Sequence, residues 1–271
     1  AVRTLAGSLN EREEFRRRLS HEATHDGLTQ LANRKATLAQ LKQSLMTASR
    51  CGSTVAVLFV DLDNFKEVND EHGHQVGDAV LWAFSKRLQG AIRGNDHVGR
   101  LGGDEFLVIA EPIDGATEAH SVARRIANAV SDPIEIGDRM ITLSLSIGIA
   151  VADAASDLTA SELLHDADLA VYRAKELGRS RIELCDEALL FEVQQRPIIE
   201  GSLRTAIAED ELTMYYQPII DAKTAKLLSL EALIRWKAPD GAWIPPDLFI
   251  PIAERSDLIL ALDNWVVNHV V

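Results

Sequence analysis

The feature that most limits the fold is a turn of two glycines followed by two carboxylates. Residues 102–105 read Gly-Gly-Asp-Glu, between a short apolar segment at 98–101 and a longer one at 107–110. Because glycine adopts positive φ at little cost, this pattern predicts a β-hairpin with its turn at the glycines. Exposed backbone beside carboxylates suits a phosphate-bearing ligand held through a divalent cation. A solvated acidic turn without a ligand is the alternative interpretation.

The composition predicts a globular protein with an ordinary core. The chain has 271 residues, of which 46% are hydrophobic and 25% charged, enough for one large or two ordinary domains. The formal net charge of −13 argues against a nucleic-acid polymer or an anionic membrane as a partner. An anionic small substrate stays open if metal ions and local basic groups offset the acidity.

The cellular compartment is predicted from the cysteines and the apolar runs. Cys51 and Cys185 have no zinc-binding or redox spacing, which is typical of a cytosolic protein. No apolar run approaches the roughly 18 residues of a membrane span, and no signal peptide is visible. Because the chain begins with Ala1 rather than Met, we interpret it as the cytosolic part of a longer protein, without membrane contact of its own.

A second acidic cluster follows the strongest strand signal. Residues 55–60 are continuously apolar and predict a central strand buried on both faces. Asp61 and Asp63 follow, and side chains two apart on an extended chain share one face. Such carboxylates hold Mg²⁺ and leave room for substrate phosphates, although strand-end or capping aspartates are equally compatible with the pattern. With Asp104 of the hairpin they predict one metal site.

Polar side chains after this strand are candidates for recognising a base. Residues 64–70 predict a short helix or turn, and residues 71–78 predict a loop. Asn69, His74 and Asp78 could read a base edge, because Asn both donates and accepts and Asp accepts two N–H groups. Asp78 could instead be the N-cap of the next helix, which is predicted to run to about residue 92.

The order of the predicted elements indicates an α+β domain with one mixed sheet flanked by helices. Further helices are predicted at 34–49, at 117–130 and from a capping box at Thr159 and Glu162, and a strand is predicted at 141–150. The first 23 residues predict a solvated helix, interpreted either as a connector from an upstream domain or as a frayed end.

Six stretches, in order along the chain, resemble the signature sequences of the GGDEF diguanylate cyclases: residues 25–34, 59–70, 72–78, 100–106, 146–148 and 172–179. The resemblance implies a GGDEF domain at 24–185 with a palm-like core, similar to class III nucleotidyl cyclases and some polymerases. It also implies that two GTP molecules condense to cyclic di-GMP with release of pyrophosphate, with Mg²⁺ (or Mn²⁺) as cofactor.

The resemblance assigns roles to single residues. Asp61, the Leu62 carbonyl and Asp104 would bind the metal, with Glu105 at the same site and Asp63 added from the strand-end pattern. The implied GTP-binding residues are Lys66, Asn69, His74, Asp78, Gly102, Gly103, Lys175 and Arg179. Asp61, Asp104 and Glu105 form the implied catalytic set. We favour a metal role for Asp104 over a general-base role, because a metal-bound carboxylate has a depressed pKa and is a weak base. For Lys175 and Arg179 a helix-dipole interaction is the alternative.

Arg93 and Asp96 match the family's RxxD inhibitory motif, which would bind the product cyclic di-GMP, and Arg124 is a weaker candidate for that site. The alternative for Arg93 and Asp96 is a helix-end ion pair of small energy. Because the product is two-fold symmetric and each domain holds one GTP, the resemblance implies a catalytic homodimer.

Residues 186–198 predict a linker, and residues 199–271 resemble the start of an EAL phosphodiesterase domain. In that family Glu231 would be a metal ligand, while Gln217 and Arg235 would contact cyclic di-GMP. The family's TIM-like barrel needs about 250 residues, so an incomplete barrel without phosphodiesterase activity is expected. A non-catalytic GTP or cyclic di-GMP sensor that regulates an EAL domain is the alternative function. A purely structural module would leave both acidic clusters unexplained.

Overall fold

The computed structural model describes residues 21–238 and 241–270. The predicted connector helix at 1–23 therefore lies almost entirely outside the described residues. The chain divides into two compact units, residues 1–187 and residues 188–271.

The first unit is built on a six-stranded mixed sheet. Its strands are β1 (Ala32–Asn33), β2 (Thr54–Leu62), β3 (His97–Gly102), β4 (Glu105–Ile113), β7 (Leu145–Ala152) and β8 (Ile182–Leu184), in the order β1-β3-β4-β2-β7-β8. β2 pairs antiparallel with β4 and β7, whereas β1–β3 and β7–β8 are parallel pairs. The predicted central strand and the predicted β3–β4 hairpin are confirmed. β5 (Ile134–Ile136) and β6 (Arg139–Ile141) form a separate small hairpin.

Helices cover both faces of this sheet. They are α1 (Arg34–Cys51), α2 (Phe65–His72), α3 (His74–Ala91), α4 (Gly115–Val130) and α5 (Ala160–Glu176). Alternate residues of β2 enter two separate cores: Leu58 packs with residues of α3 and α4, and Val57 with residues of α1 and α5. The apolar run of β2 is thus explained by burial on both faces.

Two details of the first unit differ from the sequence-based expectations. The predicted loop at 71–78 is helical except at Gly73, whose φ of 83° separates α2 from α3. Gly73 is the N-cap of α3 and Asp78 lies inside that helix, so the prediction of Asp78 as an N-cap is wrong. The strand predicted at 141–150 begins only at Leu145, because the preceding residues belong to the β5–β6 hairpin and a short connection.

The second unit combines α6 (Glu187–Ala208, whose first residue belongs to the first unit), β9 (Leu212–Ile220), β10 (Leu227–Lys237), β11 (Trp243–Ile244), α7 (Pro246–Glu254) and α8 (Leu258–His269). Its strands form an antiparallel sheet in the order β11-β10-β9, and no closed barrel forms among the described strands. Within the linker predicted at 186–198, residues 187–198 are helical, and Pro197 lies inside α6. Within the described ranges, no helix is both long and apolar enough to cross a bilayer.

Candidate functional site

The two predicted acidic clusters meet at one edge of the central strands. Asp61 of β2 and Glu105 of β4 are directly opposite each other in the antiparallel register. The backbone N–H of Leu62 donates to the carbonyl oxygen of Asp104 at 3.4 Å. Residues opposite each other on adjacent strands project to the same face. The geometry therefore places Asp104 and Glu105 of the hairpin beside the end of β2.

The surroundings of Asp61 disfavour its negative charge. Burial raises the pKa of Asp61, and the charges of Asp104 and Asp63 add to this effect, while Lys175 opposes it. The Lys175 Nζ lies 2.7 Å from the Asp61 Oδ2. This ion pair replaces the helix-dipole interpretation of Lys175 with a direct contact to the acidic cluster.

Glu105 is also held where its charge is unfavourable. Burial raises the pKa of Glu105, with further contributions from Asp61, Asp168 and Asp104, and Arg34 acts in the opposite direction. Asp168 on α5 and Arg34 at the start of α1 were not predicted as site residues. Only the folded structure shows them near Glu105, although Arg34 ends one of the signature stretches.

The carboxylates fit a hard divalent cation in their chemistry. They supply oxygen ligands, and a cation would offset the burial and the mutual repulsion that together raise the pKa values of Asp61 and Glu105. In the part of the chain that the structure describes, no three His, Cys, Asp or Glu side chains already stand in a metal-binding group.

Close packing fixes the helix that carries Lys175. A Cβ atom on Gly148 of β7 would collide with the Ala167 carbonyl oxygen and the Val171 N atom of α5. Only glycine allows this approach of helix to strand, which gives the Ser-Ile-Gly signature a structural role. The C-terminal end of α5 is thereby held at the acidic edge of the sheet.

An arginine stabilises the hairpin turn through hydrogen bonds. Gly102 and Gly103 have φ values of 152° and 52° and are exposed. Arg100 donates from Nε and Nη2 to the Gly103 carbonyl oxygen, at 3.0 and 2.7 Å. Its Nη1 donates to Asp26 Oδ1 at 2.9 Å. Asp26 and Arg100 lie in the signature stretches, but their pairing across the fold has no local sequence signal.

The predicted base-binding residues lie at the junction of α2 and α3. A Cβ atom on Gly77 would collide with the Asn69 side-chain oxygen, so Asn69 packs directly against the residue before Asp78. Asp78 and His74 are exposed on α3, and Lys66 is exposed on α2. A cavity of about 560 Å³ adjoins His74 and the turn between β5 and β6.

The predicted inhibitory residues form a small ionic cluster. Arg93 Nη1 lies 2.6 Å from Glu118 Oε1, and the Arg93 backbone N–H donates to Asp96 Oδ2 at 2.8 Å. Arg125 Nη2 is 3.8 Å from Asp96 Oδ2. The structure thus brings Arg125 to Asp96, whereas Arg124 is exposed on the same helix.

In the second unit, the three residues assigned from the EAL resemblance lie on the β9–β10 pair. Gln217 and Glu231 are partners in the antiparallel register, and both are exposed. Arg235, four residues after Glu231, lines a cavity of about 480 Å³ that also includes Tyr215 and Trp243. Residues at even spacing share one face of a strand, so Glu231 and Arg235 lie on one face of β10.

Comparison with known proteins identifies a family for each part of the chain. The family described as "Diguanylate cyclase, GGDEF domain" matches residues 23–181, and the EAL domain family matches residues 200–271. The chain therefore belongs to the GGDEF family and continues into an EAL segment, as the signature stretches predicted.

Two Pseudomonas aeruginosa relatives match almost the whole chain. The bifunctional diguanylate cyclase/cyclic di-GMP phosphodiesterase MucR is 37% identical over 256 residues, which are 93% of this chain and 37% of MucR. The cyclic di-GMP phosphodiesterase NbdA is 35% identical over 261 residues, which are 96% of this chain and 33% of NbdA. The chain thus spans about a third of the length of these relatives.

Solved structures of GGDEF domains have the same fold as the first unit. The GGDEF domain of TpbB (YfiN) from P. aeruginosa is 40% identical, with a TM-score of 0.60, and covers 63% of this chain and 99% of that one. The coiled coil and GGDEF domain of DgcB from Caulobacter crescentus, in complex with c-di-GMP, is 30% identical with a TM-score of 0.59. It covers 66% of this chain and 96% of that one.

Proposed function

We propose that the first unit is a diguanylate cyclase that condenses two GTP molecules into cyclic di-GMP and releases two pyrophosphates. The observation that carries the proposal is the meeting of Asp61 with Asp104 and Glu105 beside an exposed glycine turn, within reach of Lys175. We place the reaction in the cytoplasm, and both described cysteines are free thiols, as is usual there.

Asp61, the Leu62 carbonyl, Asp104 and Glu105 would hold Mg²⁺ or Mn²⁺. When bound, the cation lowers the pKa of the attacking 3′-hydroxyl and offsets charge on the leaving pyrophosphate. The residues themselves hold a site of concentrated negative charge at the sheet edge. Lys175 partly neutralises this charge when no nucleotide is bound, through its ion pair with Asp61.

The remaining residues would position the nucleotide. Lys66, Lys175 and Arg179 would contact the phosphates, so GTP and Asp61 compete for the Lys175 ammonium group. The exposed turn of Gly102 and Gly103 would let the backbone approach the nucleotide.

The guanine base would be read at the junction of α2 and α3. Asp78 would accept N–H groups from its edge, Asn69 would both donate and accept, and His74 would lie nearby. The packing of Asn69 against Gly77 supports this part of the proposal, since it holds the Asn69 amide next to Asp78.

Catalysis requires two of these half-sites to face each other, so the active species would be a homodimer.

Cyclic di-GMP would inhibit by binding at Arg93 and Asp96, with Arg124 as a further contact. The Arg93 side chain is 56% exposed, so its guanidinium could bind a phosphate bidentately if its ion pair with Glu118 opened. In the second unit, Glu231 would be a metal ligand, and Gln217 and Arg235 would contact cyclic di-GMP.

The proposal is tested by incubating the purified chain with GTP and Mg²⁺ and separating the products. We expect cyclic di-GMP from the wild type and loss of product in Asp104→Asn. Asp157→Asn is the matched control, because Asp157 is an exposed aspartate of the loop before α5 and its variant should retain activity. Absence of cyclic di-GMP at high protein concentration, where dimers form, would refute the proposal. If GTP then bound without turnover, the sensor alternative would take its place.

A further inference from the structure

Asp63 is a buried carboxylate whose oxygens are already engaged. It is 5% exposed. Its Oδ1 accepts a hydrogen bond from Ser146 Oγ at 2.6 Å, and its Oδ2 accepts from Ser144 Oγ at 2.9 Å and from the Ser180 backbone N–H at 3.0 Å. The Asp63 N–H donates to the Ser144 carbonyl oxygen at 3.0 Å. One side chain thus ties the residue after β2 to the start of β7 and to the turn after α5.

The turn after α5 has an unfavourable backbone. Arg179 and Ser180 have φ values of 62° and 50°, a region that residues with a Cβ atom rarely adopt. Two consecutive residues stay in this region only if surrounding contacts hold them there. The Arg179 N–H donates to the Ala174 carbonyl oxygen at 2.9 Å, and the Ser180 N–H donates to Asp63. Asp63 therefore supplies a hydrogen bond from outside α5 that helps to fix this turn.

These contacts disfavour the metal role predicted for Asp63. A carboxylate has about four acceptor positions, and three of them are occupied here. Binding a cation would compete with hydrogen bonds from Ser144, Ser146 and Ser180, and polar groups that lose their partners in a buried place are costly. Asp61, in contrast, has a close ion pair with Lys175, whose side chain is 36% exposed.

We propose that Asp63 is a positioning residue that locks the Arg179–Ser180 turn and so presents the Arg179 guanidinium to the nucleotide phosphates. The inference rests on the proposed function, because it assigns Arg179 to phosphate binding. It differs from the metal-ligand interpretation in one respect that can be measured. To hold the turn, the side chain at residue 63 must form these hydrogen bonds, whereas a metal ligand needs a charged carboxylate.

Asp63→Asn separates the two roles. An asparagine oxygen can accept from Ser144 and from the Ser180 N–H, and its amide can donate to the Ser146 hydroxyl, which also accepts. All three links can then persist without the charge. Asp63→Ala removes all three links. Positioning therefore predicts that Asp63→Asn recovers most of the function that Asp63→Ala loses.

The first readout is calorimetric binding of guanosine 5′-(α,β-methylene)triphosphate with Mg²⁺, which needs no turnover. We expect Asp63→Ala to weaken this binding about ten-fold or more, the typical scale for losing a charge-assisted contact, and Asp63→Asn to stay near wild type. In an Arg179→Ala background, Asp63→Ala should cause little further loss, because both changes remove the same contact. Thermal unfolding shows whether each variant folds. If Asp63→Ala does not fold, analogue binding by Asp63→Asn still distinguishes the positioning role from the metal-ligand role.

Three outcomes overturn the inference. The first is equal damage by Asp63→Asn and Asp63→Ala together with a higher Mg²⁺ requirement, as expected of a ligand. The second is additive loss in the double variant, and the third is absence of analogue binding by the wild type. Failure of the proposed function looks different: analogue binding follows the predicted pattern, but the wild type forms no cyclic di-GMP.

Discussion

Replacing Asp26 with asparagine should destabilise the first unit by a measurable amount. Asp26 Oδ1 accepts from the Thr29 N–H at 2.8 Å, from Thr29 Oγ1 at 2.7 Å and from Arg100 Nη1 at 2.9 Å. A hydrogen bond to a charged group contributes about 1.5–3 kcal/mol. Because the Asp26 side chain is 25% exposed and the asparagine oxygen still accepts, we expect a loss of about 1–2 kcal/mol in the free energy of unfolding. The melting temperature should fall by about 2–8 °C.

The loss should depend on pH in a defined direction. Burial raises the pKa of Asp26, but the hydrogen bonds from Thr29 and the Arg100 guanidinium outweigh it, so the pKa lies below its ordinary value of 3.8. A carboxylate whose pKa is lower in the folded state stabilises above the unfolded pKa, and that contribution is lost as pH falls through the folded pKa. The difference between wild type and Asp26→Asn should therefore be full near neutral pH and shrink below about pH 4.

Urea unfolding of both proteins across this pH range is the assay. Asp221→Asn is the control, since Asp221 accepts turn hydrogen bonds from Lys223 and Thr224 but lies in the second unit. It should leave the unfolding of the first unit unchanged. An Asp26→Asn variant as stable as wild type at neutral pH, or a difference independent of pH, would refute the role of the Asp26–Arg100 contact.

Three further substitutions test separate parts of the account. Gly148→Ala should destabilise the first unit by about 1–3 kcal/mol in chemical unfolding, because its Cβ collides with α5; unchanged stability would contradict the close packing. Thr159→Ala should cost about 1 kcal/mol, because it removes the side-chain cap of α5, and a full loss of folding would show a larger role. Arg93→Ala should abolish inhibition by added cyclic di-GMP while initial turnover of GTP persists, and unchanged inhibition would exclude this residue from the product site.

The sequence predicted the parts of the fold that local patterns determine. The apolar run before Asp61 and the glycine turn at 102–103 each contain enough information to define a strand and a hairpin. The capping box at Thr159 likewise defined the start of α5. The prediction of a loop at 71–78 was wrong. A single glycine, Gly73, is sufficient to separate two helices, and the flanking residues are compatible with helical structure.

Contacts across the fold were beyond local prediction. Such contacts join residues far apart in sequence. Examples are the hydrogen bonds from serine hydroxyls to the Asp63 carboxylate and the ion pair between Lys175 and Asp61. Arg125 rather than Arg124 lies beside Asp96, because neighbouring residues of a helix point in different directions. Patterns along the chain identify which residues carry charge, but packing decides which of them meet.

The stoichiometry of GTP consumption tests the central claim most directly. The purified chain is incubated with GTP and Mg²⁺, and nucleotides and pyrophosphate are quantified by chromatography. Condensation predicts one cyclic di-GMP and two pyrophosphates for every two GTP consumed, with no GDP. Release of GDP and phosphate, or recovery of unchanged GTP at protein concentrations that support dimers, would contradict the assignment of the Asp61, Asp104 and Glu105 cluster as a diguanylate cyclase site.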